Sequence, residues 1–248
     1  MAQRLGPGTW SIQGETVTLP VTITDATLTA AVFTAPAAAA RRVLEGVPLS
    51  PIVLLGRAIT LLMTVHYGEW ALKSYDEVGV GLLVRGPRGR PGLHIVDLPV
   101  TGAFTREAGR DFWALPKWLM EADLTFGDST EVTVRDGGAE VMRASIGNGR
   151  VRLPLRTRLS LPSWSYLDHG AQAGRLLRGR LPMHLSGMRV GRGAYSVRLG
   201  KHRMADRMHA LGMSGRPWLT VTGARMTGPL GEFREVAQGN RSTMPGRI

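Results

Sequence analysis

Cysteine is absent from this chain of 248 residues, and lysine is nearly absent. The lack of cysteine excludes disulfide bonds, thiol nucleophiles and thiolate metal sites. Of the 31 basic residues, 28 are arginines and only three are lysines: Lys73, Lys117 and Lys201. A guanidinium stays protonated whereas an ammonium can lose its proton, so a chain that meets almost every need for positive charge with arginine keeps lysine where an amine can be required.

Several cofactor and targeting motifs are also missing. The six histidines show no HExxH or His-x-His spacing, so we expect no metal site. No GxGxxG turn or P-loop stands between a strand and a helix, and we therefore expect no nucleotide cofactor. The N-terminus lacks the apolar core of a signal peptide, and no apolar run is long enough to cross a bilayer. These absences predict a soluble cytoplasmic protein without membrane contact.

Charge is distributed unevenly along the chain. Residues 1–150 carry 14 Lys and Arg against 15 Asp and Glu, whereas residues 151–248 carry 17 against 4. A basic half raises the hypothesis of nucleic-acid binding. We do not favour it, because the arginines are scattered over strand-like segments and glycine-rich loops with few aromatic residues between them. Basic surfaces also attract acidic carrier domains and phosphate-bearing thioesters, and a carrier-bound substrate fits an enzyme better.

Lys117 is the strongest candidate for chemistry. Its sequence neighbours are apolar: Trp113, Leu115, Pro116, Trp118 and Leu119. Burial among such residues favours the neutral amine, and lowering a lysine pKa from about 10.4 to about 7 corresponds to roughly 4 to 5 kcal/mol of differential solvation. The alternative places Lys117 at the start of a helix after a proline, with its stem on a tryptophan and its ammonium in water.

Alternation of apolar and polar residues, together with runs of β-branched residues, predicts mostly strands. A hairpin is predicted around a Gln-Gly turn in residues 9–19, and further strands over 78–84, 93–98, 131–134, 139–145 and 218–222. Few helices are expected. Thr34 is a candidate cap for a helix over 36–44, and a second helix over 201–211 places Met204, Met208 and Leu211 on one buried face before Gly212 ends it.

Two segments resemble the acetoacetate decarboxylase family. Gly109-Arg110-Asp111 followed by Pro116-Lys117 is similar to the family's Gly-Arg-Glu/Asp and Pro-Lys signature, and Tyr75-Asp76-Glu77 resembles its Tyr-x-Glu segment. A weaker likeness covers residues 10–24 and 218–229. The resemblance implies an α+β fold, mainly antiparallel, with a closed β-barrel-like core and flanking helices, and it implies a homo-oligomer. We expect one domain over 1–237, with the polar residues 238–248 as a tail and a candidate for disorder.

The resemblance also implies roles for individual residues. Lys117 is the amine that forms a Schiff base with a ketone, and Glu77 is a carboxylate of the same pocket. In the decarboxylase itself, desolvation or a cationic neighbour activates the lysine. Here Trp118 stands where that enzyme has a second lysine. Leu61 or Leu62 stands near the position of a second pocket glutamate, and Glu15 near that of an arginine. The residues expected to bind substrate are Trp113, Trp118, Tyr75, His66, Tyr67, Leu62 and Glu15.

Structural alternatives accompany three of these assignments. His66 could serve as a hydrogen-bonded structural histidine. Glu77 could form an ion pair with Arg110, and Arg110 fits a role in bracing the segment before Lys117 better than contact with substrate.

The pattern predicts a lyase-type enzyme that uses Lys117 and Glu77 on a keto-acid or polyketide-like carbonyl substrate, in a tailoring step of secondary metabolism. Decarboxylation, aldol and dehydration steps all use the same iminium electron sink. The loss of pocket charges argues against acetoacetate as the substrate. Two other classes stay open: a non-covalent cyclase or isomerase that uses the barrel as a shaped cavity, and a non-catalytic binding protein for an anionic partner.

Overall fold

The computed structural model describes residues 2–154 and 156–237. The predicted tail, residues 238–248, lies outside the described residues, so the domain boundary at 237 stays a prediction. Within the described part, no helix is both long enough and apolar enough to cross a membrane.

Strands dominate the described residues, and three α-helices interrupt them there. The first part contains β1 (Gln3–Gly6), β2 (Thr9–Ile12), β3 (Glu15–Thr18), β4 (Val21–Pro36), α1 (Ala37–Val43), β5 (Ser50–Pro51), β6 (Val53–Leu54), β7 (Arg57–Tyr67), β8 (Tyr75–Arg85) and β9 (Pro91–Val100). The second part contains α2 (Ala103–Trp113), β10 (Lys117–Leu119), β11 (Glu121–Phe126), β12 (Ser129–Asp136), β13 (Ala139–Gly147), β14 (Val151–Arg152), β15 (Thr157–Ser165), β16 (Leu177–Ser186), β17 (Arg189–Gly191), β18 (Tyr195–Leu199), α3 (Arg203–Ala210), β19 (Leu219–Leu230) and β20 (Arg234–Glu235).

Seven strands close into a ring in the order β19, β4, β7, β8, β9, β15, β16 and back to β19. All pairings in the ring are antiparallel except the one between β9 and β15. The seam between β16 and β19 is short, with residue pairs from His184↔Thr227 to Ser186↔Arg225. The predicted α+β fold with a closed, mainly antiparallel barrel-like core and flanking helices is therefore confirmed.

Two hydrophobic cores lie on opposite faces of the ring strands, because successive side chains of a strand point to opposite faces. On β7, Val65 and Tyr67 belong to the core that fills the ring together with residues of α2 and the β1–β3 sheet. Ala58 and Leu62, which lie on the other face of β7, belong to the second core. That core packs against α1, α3 and the four-stranded sheet of β11, β12, β13 and β18.

The predicted strands are confirmed, and the hairpin turn falls at Gln13 and Gly14, both with positive φ. Both predicted helices are present. The proposed cap at Thr34 was wrong, because Pro36 occupies the cap position and the Thr34 hydroxyl accepts a hydrogen bond from Arg57 Nε at 2.8 Å. The three residues predicted for the buried face of α3, Met204, Met208 and Leu211, are fully buried.

The sequence prediction missed α2. Gly109 and Arg110, for which the sequence analysis gave no secondary structure, lie in the last turns of this helix. The helix ends at Ala114, which adopts a left-handed conformation with φ of 50°. Lys117 then begins β10 and not a helix, so the alternative of a lysine at a helix start was also wrong.

Candidate active site

The end of α2 places Lys117 beside the ring. The Leu115 amide donates to the Gly109 carbonyl at 3.0 Å, and this turns the chain so that β10 pairs in parallel with β9, with Lys117 opposite Leu98. Arg110 Nη1 donates to the Lys117 carbonyl at 3.1 Å. The bracing role predicted for Arg110 is confirmed, and the alternative of an Arg110–Glu77 ion pair is wrong because Glu77 pairs with Lys117.

The side chain of Lys117 runs back along α2. Gly109 leaves room for it: a Cβ added there would lie 2.4 Å from Lys117 Cδ and 2.7 Å from Cε. One helical turn earlier, the Thr105 hydroxyl accepts a hydrogen bond from Lys117 Nζ at 2.8 Å. Positions i and i+4 share one face of a helix, so Thr105 and Gly109 together form a track for the lysine.

Strand β8 supplies the other side of the site. Tyr75 and Glu77 are two residues apart and therefore point to the same face of this strand. Glu77 Oε2 lies 2.9 Å from Lys117 Nζ, and the ammonium lies 4.8 Å from the centroid of the Tyr75 ring. A longer contact of 3.5 Å joins Nζ to the Tyr75 hydroxyl. Lys117 is only 2% exposed and Glu77 7%, so this is a buried ion pair.

Three aromatic rings from β7, β8 and the loop between them stack on one another, and two of them contact the ion pair. Tyr67 lies directly opposite Tyr75, and their rings stack at 4.6 Å. Trp70 stacks on Tyr67 at 5.4 Å, and its buried indole N–H has no hydrogen-bond partner within the described structure. The Tyr67 hydroxyl donates to the second oxygen of Glu77, Oε1, at 3.4 Å. Each oxygen of Glu77 therefore has a partner of its own.

The two tyrosines keep their protons. Burial is the main reason that the pKa of Tyr67 lies well above its usual range, and the charge of Glu77 raises it further. The pKa of Tyr75 is likewise raised, by burial first and then by interaction with Tyr67 and Glu77. Both groups are therefore hydrogen-bond donors at neutral pH, and the Tyr67 hydroxyl already donates to Glu77.

Of the residues predicted for the site, the structure brings together Lys117, Glu77, Tyr75 and Tyr67. Trp113 is buried at the end of α2, where its indole donates to the Gly231 carbonyl at 2.8 Å. Trp118, the next residue on β10, has its ring 5.1 Å from the ring of His202. Neither indole has a contact with the ammonium among the interactions of the described residues.

The structure does not bring the other three predicted residues to Lys117. Glu15 is exposed and forms an ion pair with Lys73 at 2.7 Å. His66 is exposed and pairs with Asp76 at 2.8 Å, in line with its structural alternative. Leu62 is fully buried in the second core, on the face of β7 opposite to Tyr67.

Thr105, Gly109 and Trp70 contact residues of the candidate site, and the sequence analysis did not select them. Thr105 and Gly109 would have followed from recognising α2, because they are four residues apart on the helix that precedes Lys117. Trp70 had no signal beyond its position in the loop between β7 and β8. No cluster of three or more His, Asp or Glu side chains suited to a metal ion occurs in the described ranges.

Comparisons with known proteins identify the family and the fold of this chain. A search of curated protein sequences finds no match. Among solved structures, the acetoacetate decarboxylase of Legionella pneumophila subsp. pneumophila str. Philadelphia 1 is similar with a TM-score of 0.64 and 15% identity, over 88% of this chain and 87% of that one. An acetoacetate decarboxylase-like enzyme from Sphingomonas wittichii RW1 has a TM-score of 0.66 and 12% identity, over 92% of this chain and 97% of the other.

A third similar structure is the enduracididine biosynthesis enzyme MppR in complex with pyruvate. It has a TM-score of 0.65 and 16% identity, over 88% of this chain and 91% of that one. At these identities the likeness concerns the fold. The family model for acetoacetate decarboxylase matches residues 1–228, nearly the whole chain. This protein therefore belongs to the acetoacetate decarboxylase family.

Proposed function

We propose that this protein is a lyase-type enzyme in which Lys117 forms a Schiff base with the ketone of a keto acid or a polyketide-like substrate. The observation that carries the proposal is the buried contact set of Lys117 Nζ: Glu77 at 2.9 Å, Thr105 at 2.8 Å and the ring of Tyr75 at 4.8 Å. A lysine that is only 2% exposed and fixed from three sides is pre-organised in the way a covalent nucleophile requires.

The ion pair supplies the proton transfers of such a reaction. When a substrate enters, Glu77 accepts a proton from the ammonium, and the neutral amine attacks the carbonyl carbon. The resulting carbinolamine loses its hydroxyl group as water, with the proton returned from Glu77, and a carbon–nitrogen double bond remains as a cationic iminium. This iminium accepts the electron pair of a breaking carbon–carbon or carbon–hydrogen bond. The protonated hydroxyl of Tyr75 is placed to donate to a substrate oxygen near the amine.

The lining of the site and the similar structures support the proposed substrate class. Aromatic rings contact the ion pair, and Trp118 replaces the second lysine of the decarboxylase, which favours a larger and less charged substrate than acetoacetate. The structural neighbour MppR is an enduracididine biosynthesis enzyme that binds pyruvate, and it has also been seen with a condensation product of pyruvate and imidazole 4-carboxaldehyde. We therefore propose a tailoring step of secondary metabolism, carried out by a cytoplasmic homo-oligomer.

Borohydride trapping tests the covalent step directly. The protein is incubated with a panel of small α-keto and β-keto acids, reduced, digested and analysed by peptide mass spectrometry. We expect a reduced adduct on Lys117, because reduction fixes the iminium as a stable secondary amine. Lys73 and Lys201, both exposed, are internal controls for non-specific modification. Adducts on all three lysines to a similar extent would count against the proposal.

Two variants sharpen the test. Lys117→Met keeps a similar side-chain length without the amine, and we expect it to lose the adduct while circular dichroism shows an unchanged fold. Glu77→Gln removes the proton acceptor but keeps an amide that can bond to Tyr67, and we expect trapping at least tenfold slower than in the wild type. Trapping at the wild-type rate in Glu77→Gln would remove Glu77 from the mechanism.

A non-covalent cyclase or isomerase is the second candidate. The observation that favours it is the group of proton donors around the ion pair. An ammonium and two protonated tyrosines can polarise a carbonyl group without a covalent bond. Under this alternative a Lys117→Arg variant that folds retains turnover, because it retains the positive charge. Under the Schiff-base mechanism the same variant is inactive.

A further inference from the structure

A cleft of about 690 Å³ lies where β16, β20 and the segment before β9 meet. Four arginines line it: Arg90, Arg178, Arg180 and Arg234. Glu232 is the one carboxylate among the described lining residues, and it is already paired with Arg4 at 2.9 Å. The cleft therefore concentrates positive charge that the described part of the protein does not neutralise.

Arg178 is held in place at the wall of this cleft. Its guanidinium stacks on the ring of Trp164, 5.3 Å from the centroid, and Trp164 is fully buried. The Trp164 indole in turn donates to the Arg90 carbonyl at 3.2 Å, so the same tryptophan ties the backbone of Arg90 to the site. The Nε of Arg178 is buried and has no hydrogen-bond partner among residues 2–154 and 156–237. An orphaned donor on a charged group is costly unless a ligand or solvent satisfies it.

Arg178 and Arg234 oppose each other directly across the antiparallel pair of β16 and β20. Directly opposite residues share one face of a sheet, and like charges in this arrangement destabilise the pairing. Arg180, two residues along β16, shares the face of Arg178, and its Nε donates to the Ser160 hydroxyl at 2.7 Å. Three guanidinium groups thus lie on one surface, and two of them have fixed positions.

We propose that this cleft binds a phosphate group, either free or carried by a small organic molecule. Guanidinium groups bind phosphate oxygens through paired, charge-assisted hydrogen bonds, and an anion between Arg178 and Arg234 converts their repulsion into attraction. The volume of the cleft suits a small organic phosphate. The site differs in every residue from the Lys117 site and stands whether or not the proposed Schiff-base function is correct.

Isothermal titration with inorganic phosphate and pyrophosphate, at an ionic strength held constant with sodium chloride, tests this site. We expect saturable binding, tighter for pyrophosphate than for phosphate. Arg178→Gln and Arg234→Gln should each weaken binding at least tenfold. Arg216→Gln, which removes an exposed arginine from a different cleft, is the matched control and should bind as the wild type does. Equal affinities in all four proteins, or no saturable binding, would overturn the proposal.

Charge reversal provides a second, independent measurement. Arg234→Glu places a carboxylate opposite Arg178, so in phosphate-free buffer we expect a higher Tm than that of the wild type, and we expect pyrophosphate to raise the Tm of the wild type only. Because Arg234 is exposed, the substitution does not disturb a core. A lower Tm of Arg234→Glu without anion would contradict the repulsion on which the site depends.

Binding of a single-stranded oligonucleotide of twelve nucleotides distinguishes a site for a small phosphate from a nucleic-acid interface. We expect the oligonucleotide to bind no more tightly than pyrophosphate. Binding more than 100-fold tighter, lost in Arg178→Gln and Arg234→Gln, would replace the small-phosphate site by a nucleic-acid interface.

Discussion

At the scale of single residues, Gly109 determines where the candidate nucleophile can lie. A Cβ at this position would approach Lys117 Cδ to 2.4 Å, which is closer than carbon atoms pack in proteins. The glycine lies in the interior of α2, where it costs about 1 kcal/mol relative to alanine. Glycine at this position therefore weakens α2 but leaves space for the side chain of Lys117.

Gly109→Ala should change the stability of α2 and the reactivity of Lys117 in opposite directions. We expect α2 to gain helix propensity, while the displaced Lys117 loses its contacts with Thr105 and Glu77. Because a misplacement of about 1 Å can reduce rates by about 100-fold, borohydride trapping at Lys117 should slow by about that factor. Gly6→Ala is the matched control, since a Cβ there meets nothing within 4 Å. Trapping at the wild-type rate in Gly109→Ala would show that the reactivity of Lys117 does not depend on the space at Gly109.

His94 predicts a dependence of stability on pH. Its Nδ1 donates to the Trp164 carbonyl at 3.0 Å, and burial lowers the pKa of His94 from 6.5 to about 4. Between these values the unfolded chain binds a proton that the folded chain does not. The contribution of neutral His94 to the free energy of unfolding is therefore fully present above pH 6.5. It decreases as the pH is lowered towards 4, by about 3 kcal/mol in total.

The measurement is urea unfolding at several pH values between 7 and 4. His94→Asn can keep the hydrogen bond to Trp164 but cannot titrate, so its stability should fall by about 3 kcal/mol less than that of the wild type over this range. Identical slopes for the two proteins would mean that other groups cause the acid sensitivity.

The sequence made Lys117 and Glu77 candidates because each lies in a short motif whose residue types are informative by themselves. It could not identify Thr105 as a partner of the ammonium. A threonine in a helix is common, and its importance here depends on the path that the lysine takes after the turn at Ala114.

At the scale of secondary-structure elements, the hairpin between β6 and β7 contains a local conflict. Its two-residue loop is Leu55-Gly56, with φ of 49° and 76°. This geometry is that of a type I′ turn, which favours Asn-Gly, and a leucine is unfavourable in the left-handed region. Leu55 is also 94% exposed, so its side chain contributes no packing.

Leu55→Asn should therefore stabilise the protein by about 1 kcal/mol. Chemical denaturation measures the difference. Leu55→Ala removes the same exposed side chain but keeps the backbone strain, so it should remain within about 0.5 kcal/mol of the wild type. If the two variants were equally stable, the strain would not be the cause.

Elements were predictable from the sequence where their pattern is local. The runs of β-branched and other apolar residues in β8 and β9 predicted these strands correctly. Helix α2 was missed because Gly109 and the following Trp113 to Lys117 segment are typical of a turn, whereas the helix is stabilised by burial of Phe104, Ala108 and Phe112 in the core of the ring. Tertiary packing overrode local propensity in this helix.

At the scale of the whole molecule, the ring closes through the short β16–β19 seam and positions the site between β8 and α2. The molecule also carries a net charge of +12, and self-repulsion of this kind destabilises a compact state. Raising sodium chloride from about 0.01 M to about 0.1 M shortens the screening length from about 30 Å to about 10 Å.

We therefore expect the Tm to rise by roughly 2 to 4 °C over this range of salt, equivalent to about 1 kcal/mol for a chain of this size. Differential scanning calorimetry in a phosphate-free buffer measures the change without involving the arginine cleft. A constant or falling Tm would show that screening of favourable exposed ion pairs, such as Lys73 with Glu15, outweighs the relief of repulsion.

The sequence by itself determined the residue chemistry: one lysine in an informative motif, a glutamate in another, no thiols, and strands marked by alternation. These properties depend on neighbours within a few positions. Only the tertiary structure decided that Glu77 lies 2.9 Å from Lys117 across 40 residues, that Leu62 faces the other core, and that Arg178 opposes Arg234. Such contacts depend on strand register and ring closure, because a shift of one residue turns every side chain of a strand to the opposite face.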